Sequence, residues 1–181
     1  SEDSHETLPV LYHNRSRLDS VELVPFRNYI ERGFSGMMTA HLCIPALEKK
    51  KKCPASLSHA VVTDLLQTEM GFEGLCFTDA LAMKGAANRK SDNPCVKALL
   101  AGNDVLLAPA FPVSDFKDVK EAVESGVIPM SEIEKRCRKI LQYKYISGLN
   151  QYRPIQIKGL DERLNTAHAA WLAAELNAGA I

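Results

Sequence analysis

Short apolar runs ending in a polar residue alternate with helix-length amphipathic segments, and this alternation restricts the folds open to the chain more than any other feature. Gly36-Met37-Met38-Thr39-Ala40 leads to His41, Leu75-Cys76-Phe77-Thr78 leads to Asp79, and a third run, 104–107, holds Val105, Leu106 and Leu107. Each is too short for a helix and places apolar residues at consecutive positions, so each reads as a strand buried on both faces, at 36–39, 75–78 and 104–107. Helix signals precede or follow every run. Over 19–32, Val21, Val24 and Ile30 fall at helical spacing, with Asp19 as N-cap and Gly33 as stop; from Ser58, a stripe of Val61, Val62, Leu65, Leu66 and Met70 closes at Gly71. Asn93-Pro94 opens a helix through Leu100 that ends at Gly102. Two more helices are predicted over 114–124 and 131–145, the second opened by a capping box of Ser131 and Glu134. Helix then strand, three times over, predicts an α/β fold with a parallel sheet whose chemistry collects at the C-terminal strand tips. Three strands cannot close a barrel, and their open edge needs a cover.

The charge balance removes one class of partner. Lys+Arg and Asp+Glu are both 22, so nothing in the net charge favours nucleic acid or an anionic membrane surface. The basic run Lys49 to Lys52 reads as a solvated face. No stretch approaches the roughly 20 apolar residues that cross a bilayer, and the start at Ser1-Glu2-Asp3, without Met or a signal pattern, is read as a chain lacking upstream residues. Five cysteines, Cys43, Cys53, Cys76, Cys95 and Cys137, form no C-x-x-C pair; they read as free thiols, in a cytoplasm or as buried thiols in a periplasm. From Tyr152 the regularity fails until an Ala- and Leu-rich helix over 166–177, so 1–150 reads as one domain and 151–181 as a linker and the start of a second.

Two groups carry chemistry. Asp79 directly follows a buried strand, which aims its carboxylate into the strand-tip face; position alone equally allows a helix N-cap. In Asp3-Ser4-His5 the acid is spaced to orient the imidazole and stabilise its protonated form, although such a triplet also arises by chance on a polar loop.

Seven blocks in one order then carry a family resemblance: D-S-H with Leu8-Pro9, E-L-V-P-F from Glu22, M-T-A-H from Met38, P-A-S-L-S from Pro54, G-F-E-G from Gly71, T-D-A-L-A-M-K-G from Thr78 and A-G-N-D from Ala101. Over 1–150 the chain resembles the family-3 glycoside hydrolases, in their β-N-acetylhexosaminidase branch. The resemblance implies the later half of a (β/α)8 TIM-type barrel, with Asp79 as nucleophile at the tip of the seventh barrel strand. It further implies His5 as mobile-loop acid/base, Asp3 as its partner and Met38 lining the sugar pocket. The D-S-H triplet separates this branch from β-glucosidases, whose acid/base carboxylate comes from a second domain. His41 is expected to hydrogen-bond within the barrel mouth. Two features depart from the family: the K-H-F-P-G-H-G motif, which holds sugar hydroxyls, is not in the chain, and Ala82 stands where many members carry Asp.

The expected reaction is a double displacement on terminal β-linked N-acetylhexosamine, requiring no metal or cofactor. Its substrates would be N-acetylglucosamine-containing oligosaccharides or muropeptides, and its structural partner the missing N-terminal half of the barrel. Two alternatives stay open, a β-glucosidase-type exo-glycosidase and a non-catalytic half-barrel that completes or binds another chain.

Overall fold

The computed structural model describes residues 6–86 and 93–180. Their architecture is α/β: strands β1 (Gly36–Thr39) and β2 (Leu75–Thr78) pair in parallel, in the register Met38↔Phe77 and Thr39↔Thr78. Both strands fall where the apolar runs predict them. The third run is reduced to one parallel bridge, Phe77↔Val105. Cys76 C=O accepts both Asp104 and Val105 N–H, and Leu107 N–H goes to Thr78 Oγ1 at 2.9 Å, so a side chain replaces the backbone partner that a continuing ladder requires.

The first predicted helix starts earlier and is broken. It comprises α1 (Arg15–Arg17), a wide turn over Leu18–Glu22 with an i to i+5 bond from Leu23 N–H to Leu18 C=O, and α2 (Val24–Glu31). Pro25, in the first turn of α2, has no N–H to continue an unbroken ladder. Asn14, not Asp19, is the N-cap, accepting from Arg17 N–H. Asp19 instead takes Arg15 at 2.7 Å and Arg27 at 2.9 Å, and Glu69 joins the same cluster through Arg15.

The second helix, Ala60–Glu69, is also widely wound, with Met70 N–H reaching Leu65 C=O, and Ser58 Oγ accepts from Val61 N–H as predicted. Three α-helices follow, α3 (Pro94–Ala101), α4 (Pro112–Glu124) and α5 (Met130–Ile146). Asn93 caps α3 through Cys95 N–H, and Gly102 ends it at φ 110°. In α5 the expected capping box is absent: the helix opens at Met130, so Ser131 already lies inside its first turn.

The core lies between the strands and these helices. Val62, Leu66, Phe72, Cys76 and Ala101 form one cluster; Leu81, Ala86, Cys95 and Ala98 form a second; Leu99, Ala122 and Ile128 form a third. Lys49 to Lys52 are exposed, as their charge predicts. None of the five cysteines is in a disulfide. The chain divides into two compact units, Ser1–Tyr143 and Lys144–Ile181, the second carrying α6 (Leu160–Leu164) and α7 (Ala167–Ala178), whose N-cap is Thr166. No helix among the described residues is long and apolar enough to cross a membrane.

Candidate active site

β2 ends at Thr78, and Asp79 continues its register: Asp79 N–H donates to Thr39 C=O at 2.9 Å. Cross-strand partners share a face, so Met38, Phe77 and Asp79 lie on one side of the pair, and Thr39, Cys76 and Thr78 on the other. The second side is packed. Thr78 and Cys76 are fully buried there, whereas Met38 remains 55% exposed. Asp79 is half-buried on the open side, at a strand tip.

The turn that carries Asp79 is held from three directions. Asp79 Oδ1 accepts Ala80 N–H at 2.7 Å. Toward the third segment, Leu81 N–H donates to Leu107 C=O and Ala82 N–H to Ala108 C=O; Ala108 adopts φ 41°, a left-handed conformation costly for a residue with a Cβ. Toward β1, His41 Nε2 lies 3.0 Å from Ala80 C=O, and its Nδ1 lies 2.6 Å from Ser56 Oγ. Burial pushes the His41 pKa below the ordinary imidazole value, against the opposing pull of the Ala80 carbonyl and the Asp79 charge. Ala82 points its side chain to solvent, so the departure from Asp at this position leaves the described packing around Asp79 intact.

Asp3 and His5 lie outside the described residues. The segment after them is placed: Glu6 pairs with Lys84 in the turn beyond Asp79, and Val10 bridges Cys43 in parallel, with Cys43 N–H on Pro9 C=O and Leu11 N–H on Cys43 C=O. Residues 6–11 therefore lie against the segments that follow β1 and β2.

Sequence reasoning assigned no role to the polar residues beneath the turn. Asn103 is fully buried; its Nδ2 donates to Ser56 C=O and Ala98 C=O, both at 2.8 Å, and its Oδ1 accepts from Thr39 Oγ1 at 2.8 Å. Ser56 and Asn103 sit inside the P-A-S-L-S and A-G-N-D blocks, and the available signal was a small polar residue embedded in apolar surroundings beside a strand end. No group of three or more His, Cys, Asp or Glu that could hold a metal ion occurs among the described residues.

The family profile described as "Glycosyl hydrolase family 3 N terminal domain" matches residues 1–143. The chain belongs to glycoside hydrolase family 3. Beta-hexosaminidase A of Pseudoalteromonas piscicida is 29% identical over 163 residues, covering 78% of this chain and 27% of its own. The beta-hexosaminidase of Nitrosospira multiformis is 39% identical over 108 residues, 58% of this chain and 30% of its own. This family-3 chain thus spans under a third of these curated relatives, and both bear the name of the branch to which D-S-H pointed.

Solved structures agree on the fold. The family-3 beta-N-acetylglucosaminidase from Paenibacillus sp. str. FPU-7 matches with TM-score 0.81 at 35% identity, over 86% of this chain and 30% of that one. A beta-glucoside phosphorylase matches with TM-score 0.88 over 96% of this chain and 33% of that one, but at 22% identity the likeness is one of fold alone.

Proposed function

We propose that this chain forms the nucleophile-bearing part of a retaining exo-glycosidase acting on terminal β-linked N-acetylhexosamine, N-acetylglucosamine above all. The observation that carries the reading is Asp79: a half-buried carboxylate on the open face of a parallel strand tip, its backbone bonded on both sides, in a family-3 chain. The chain would supply later strands of a (β/α)8 barrel over 1–150, with 151–181 leading to a second domain. Parallel pairing of β1 and β2 and the parallel bridge at Val105 support that arrangement.

Ionised Asp79 attacks the anomeric carbon as His5, protonated and oriented by Asp3, gives its proton to the leaving oxygen. The glycosyl–oxygen bond to the leaving group breaks and a glycosyl-aspartate ester forms. Neutral His5 then takes a proton from water, whose oxygen displaces Asp79 and restores the original anomeric configuration. Met38, on the same face as Asp79, lines the sugar site. Muropeptide fragments and chitin-derived oligosaccharides both present the required terminal sugar.

Removing the nucleophile is not compensated by any leaving group, so Asp79→Asn should lower turnover by several orders of magnitude on every substrate. His5→Ala removes proton transfer, worth roughly 10²–10⁴-fold, chiefly on sugars with poor leaving groups. Its first step should survive on aryl N-acetylglucosaminides with acidic phenols, and labelled Asp79 should then be recovered by peptide mass analysis. Turnover of aryl glucoside in preference to aryl N-acetylglucosaminide, or equal losses in His5→Ala on both substrate classes with no trapped ester, would overturn the reading.

A further inference from the structure

The polar chain behind Asp79 assigns a task to a residue outside the double displacement. Resting on the reading of Asp79 above, we propose that His41 is a positioning residue for the nucleophile: a neutral imidazole whose Nε2–H holds the Ala80 carbonyl, with Ser56 and Asn103 fixing the ring from behind.

The tautomer follows from the partners. Ala80 C=O can only accept, so the ring nitrogen 3.0 Å from it, Nε2, carries the proton. In a neutral ring Nδ1 is then the acceptor, and the Ser56 hydroxyl 2.6 Å away donates to it. Ser56 is itself tied, its N–H to Ala40 C=O at 3.1 Å and its C=O to Asn103 Nδ2 at 2.8 Å. Asn103 closes the chain by accepting from Thr39 Oγ1, on the residue whose carbonyl holds Asp79 N–H. His41, Ser56 and Asn103 are each 0% exposed, so water offers none of them a substitute partner.

What this chain controls is the Ala80–Leu81 peptide, next in line to the one that joins Asp79 to Ala80. Three successive peptides are held in turn: Thr39 C=O takes the Asp79 N–H, Asp79 Oδ1 takes the Ala80 N–H, and His41 holds the Ala80 carbonyl. Freed from His41, the Ala80–Leu81 peptide is held only through Leu81 N–H on Leu107 C=O, and its tilt shifts the adjoining Asp79; misplacing a reacting group by about 1 Å costs on the order of 10²-fold in rate. Neutrality matters as much as placement. An imidazolium there would attract the Asp79 charge that must be spent on the anomeric carbon, and burial opposes that form.

Two substitutions separate positioning from packing. The amide nitrogen of Gln reaches the place of imidazole Nε2 and can donate to Ala80 C=O; Asn ends near the place of Nδ1 and can meet only Ser56. In the complete protein, pre-steady-state phenol release from an aryl N-acetylglucosaminide with an acidic leaving group reports Asp79 attack without need of His5. Release in His41→Asn should slow about 10²-fold with KM little changed, and His41→Gln should recover most of that loss. Urea midpoints of the two variants should fall together. Equal loss in His41→Gln and His41→Asn, or losses that disappear once rates are corrected for the folded fraction, would overturn the proposal. Should both variants fail to fold, ring ¹⁵N shifts of the parent decide it: a neutral Nε2–H tautomer at pH 7 is expected, and an Nδ1–H or protonated ring overturns it. Asp79→Asn measured alongside keeps the levels apart, since full activity in that variant would remove the nucleophile reading and this inference with it. A silent His41→Asn beside an inactive Asp79→Asn would remove the inference alone.

Discussion

His41 couples the strand-tip turn to pH. Its pKa in the folded chain lies below the ordinary 6.5 because burial disfavours the charged ring, with Asp79 the charged group opposing that shift. An unfolded chain accepts this proton first as pH falls. The stability associated with the neutral ring is therefore fully present above about 6.5 and is lost as pH drops from there through the lower, folded pKa. The expected result is a urea midpoint that declines between pH 7 and pH 5, with the decline reduced in His41→Gln, which has no proton to gain. Equal slopes in parent and variant would show that other groups govern this window. The carboxylates with lowered pKa act at lower pH, in the carboxylate range: Asp19 is paired with Arg15, Glu22 with Arg17, and Glu48 accepts from Ser58 Oγ.

At the scale of elements, the end of α3 decides where Asn103 and the third segment sit. Gly102 turns the chain at φ 110°, and a Cβ there would collide with Thr63 Oγ1, the same hydroxyl that donates to Ala101 C=O at 2.8 Å. Arg136 of α5 braces the end of α3, donating to Leu99 C=O at 2.8 Å, which also takes the Gly102 N–H, and to Asn103 C=O at 2.9 Å just beyond the helix. Gly102→Ala meets left-handed strain and a displaced hydroxyl together, and is expected to cost about 2–4 kcal/mol. Chemical denaturation measures it, and a loss below about 0.5 kcal/mol, the level of a neutral surface change, would show that the turn relaxes freely.

For the whole molecule the consequence lies on the open side of β1. Among the described residues β1 has β2 as its one strand neighbour, while Met38 is 55% and Phe34 53% exposed. An unpaired strand edge flanked by large apolar side chains promotes association. The 181-residue chain by itself is expected to self-associate and to show no turnover of aryl N-acetylglucosaminide. On the barrel arrangement proposed above, co-expression with a segment that supplies earlier strands should yield a discrete, active species. Light scattering and the aryl assay test both halves, and a monomeric chain with turnover would contradict them.

The amino-acid pattern alone determined β1 and β2 to the residue, α3 with both its caps, the solvated lysine run and the position of Asp79 at a strand tip, because each follows from local periodicity or from backbone demands that few residues meet. Caps that compete with long-range charge were not legible: Asp19 leaves the N-cap role for Arg15 and Arg27, the latter eight residues away. Nor was the third strand's reduction to a single bridge, since that turns on Thr78 Oγ1 taking an N–H from a residue 29 positions later. The polar chain from Asn103 through Ser56 to His41 depends on groups up to 64 residues apart meeting where water is excluded, and only the tertiary structure decides which buried hydroxyl, amide and imidazole become partners.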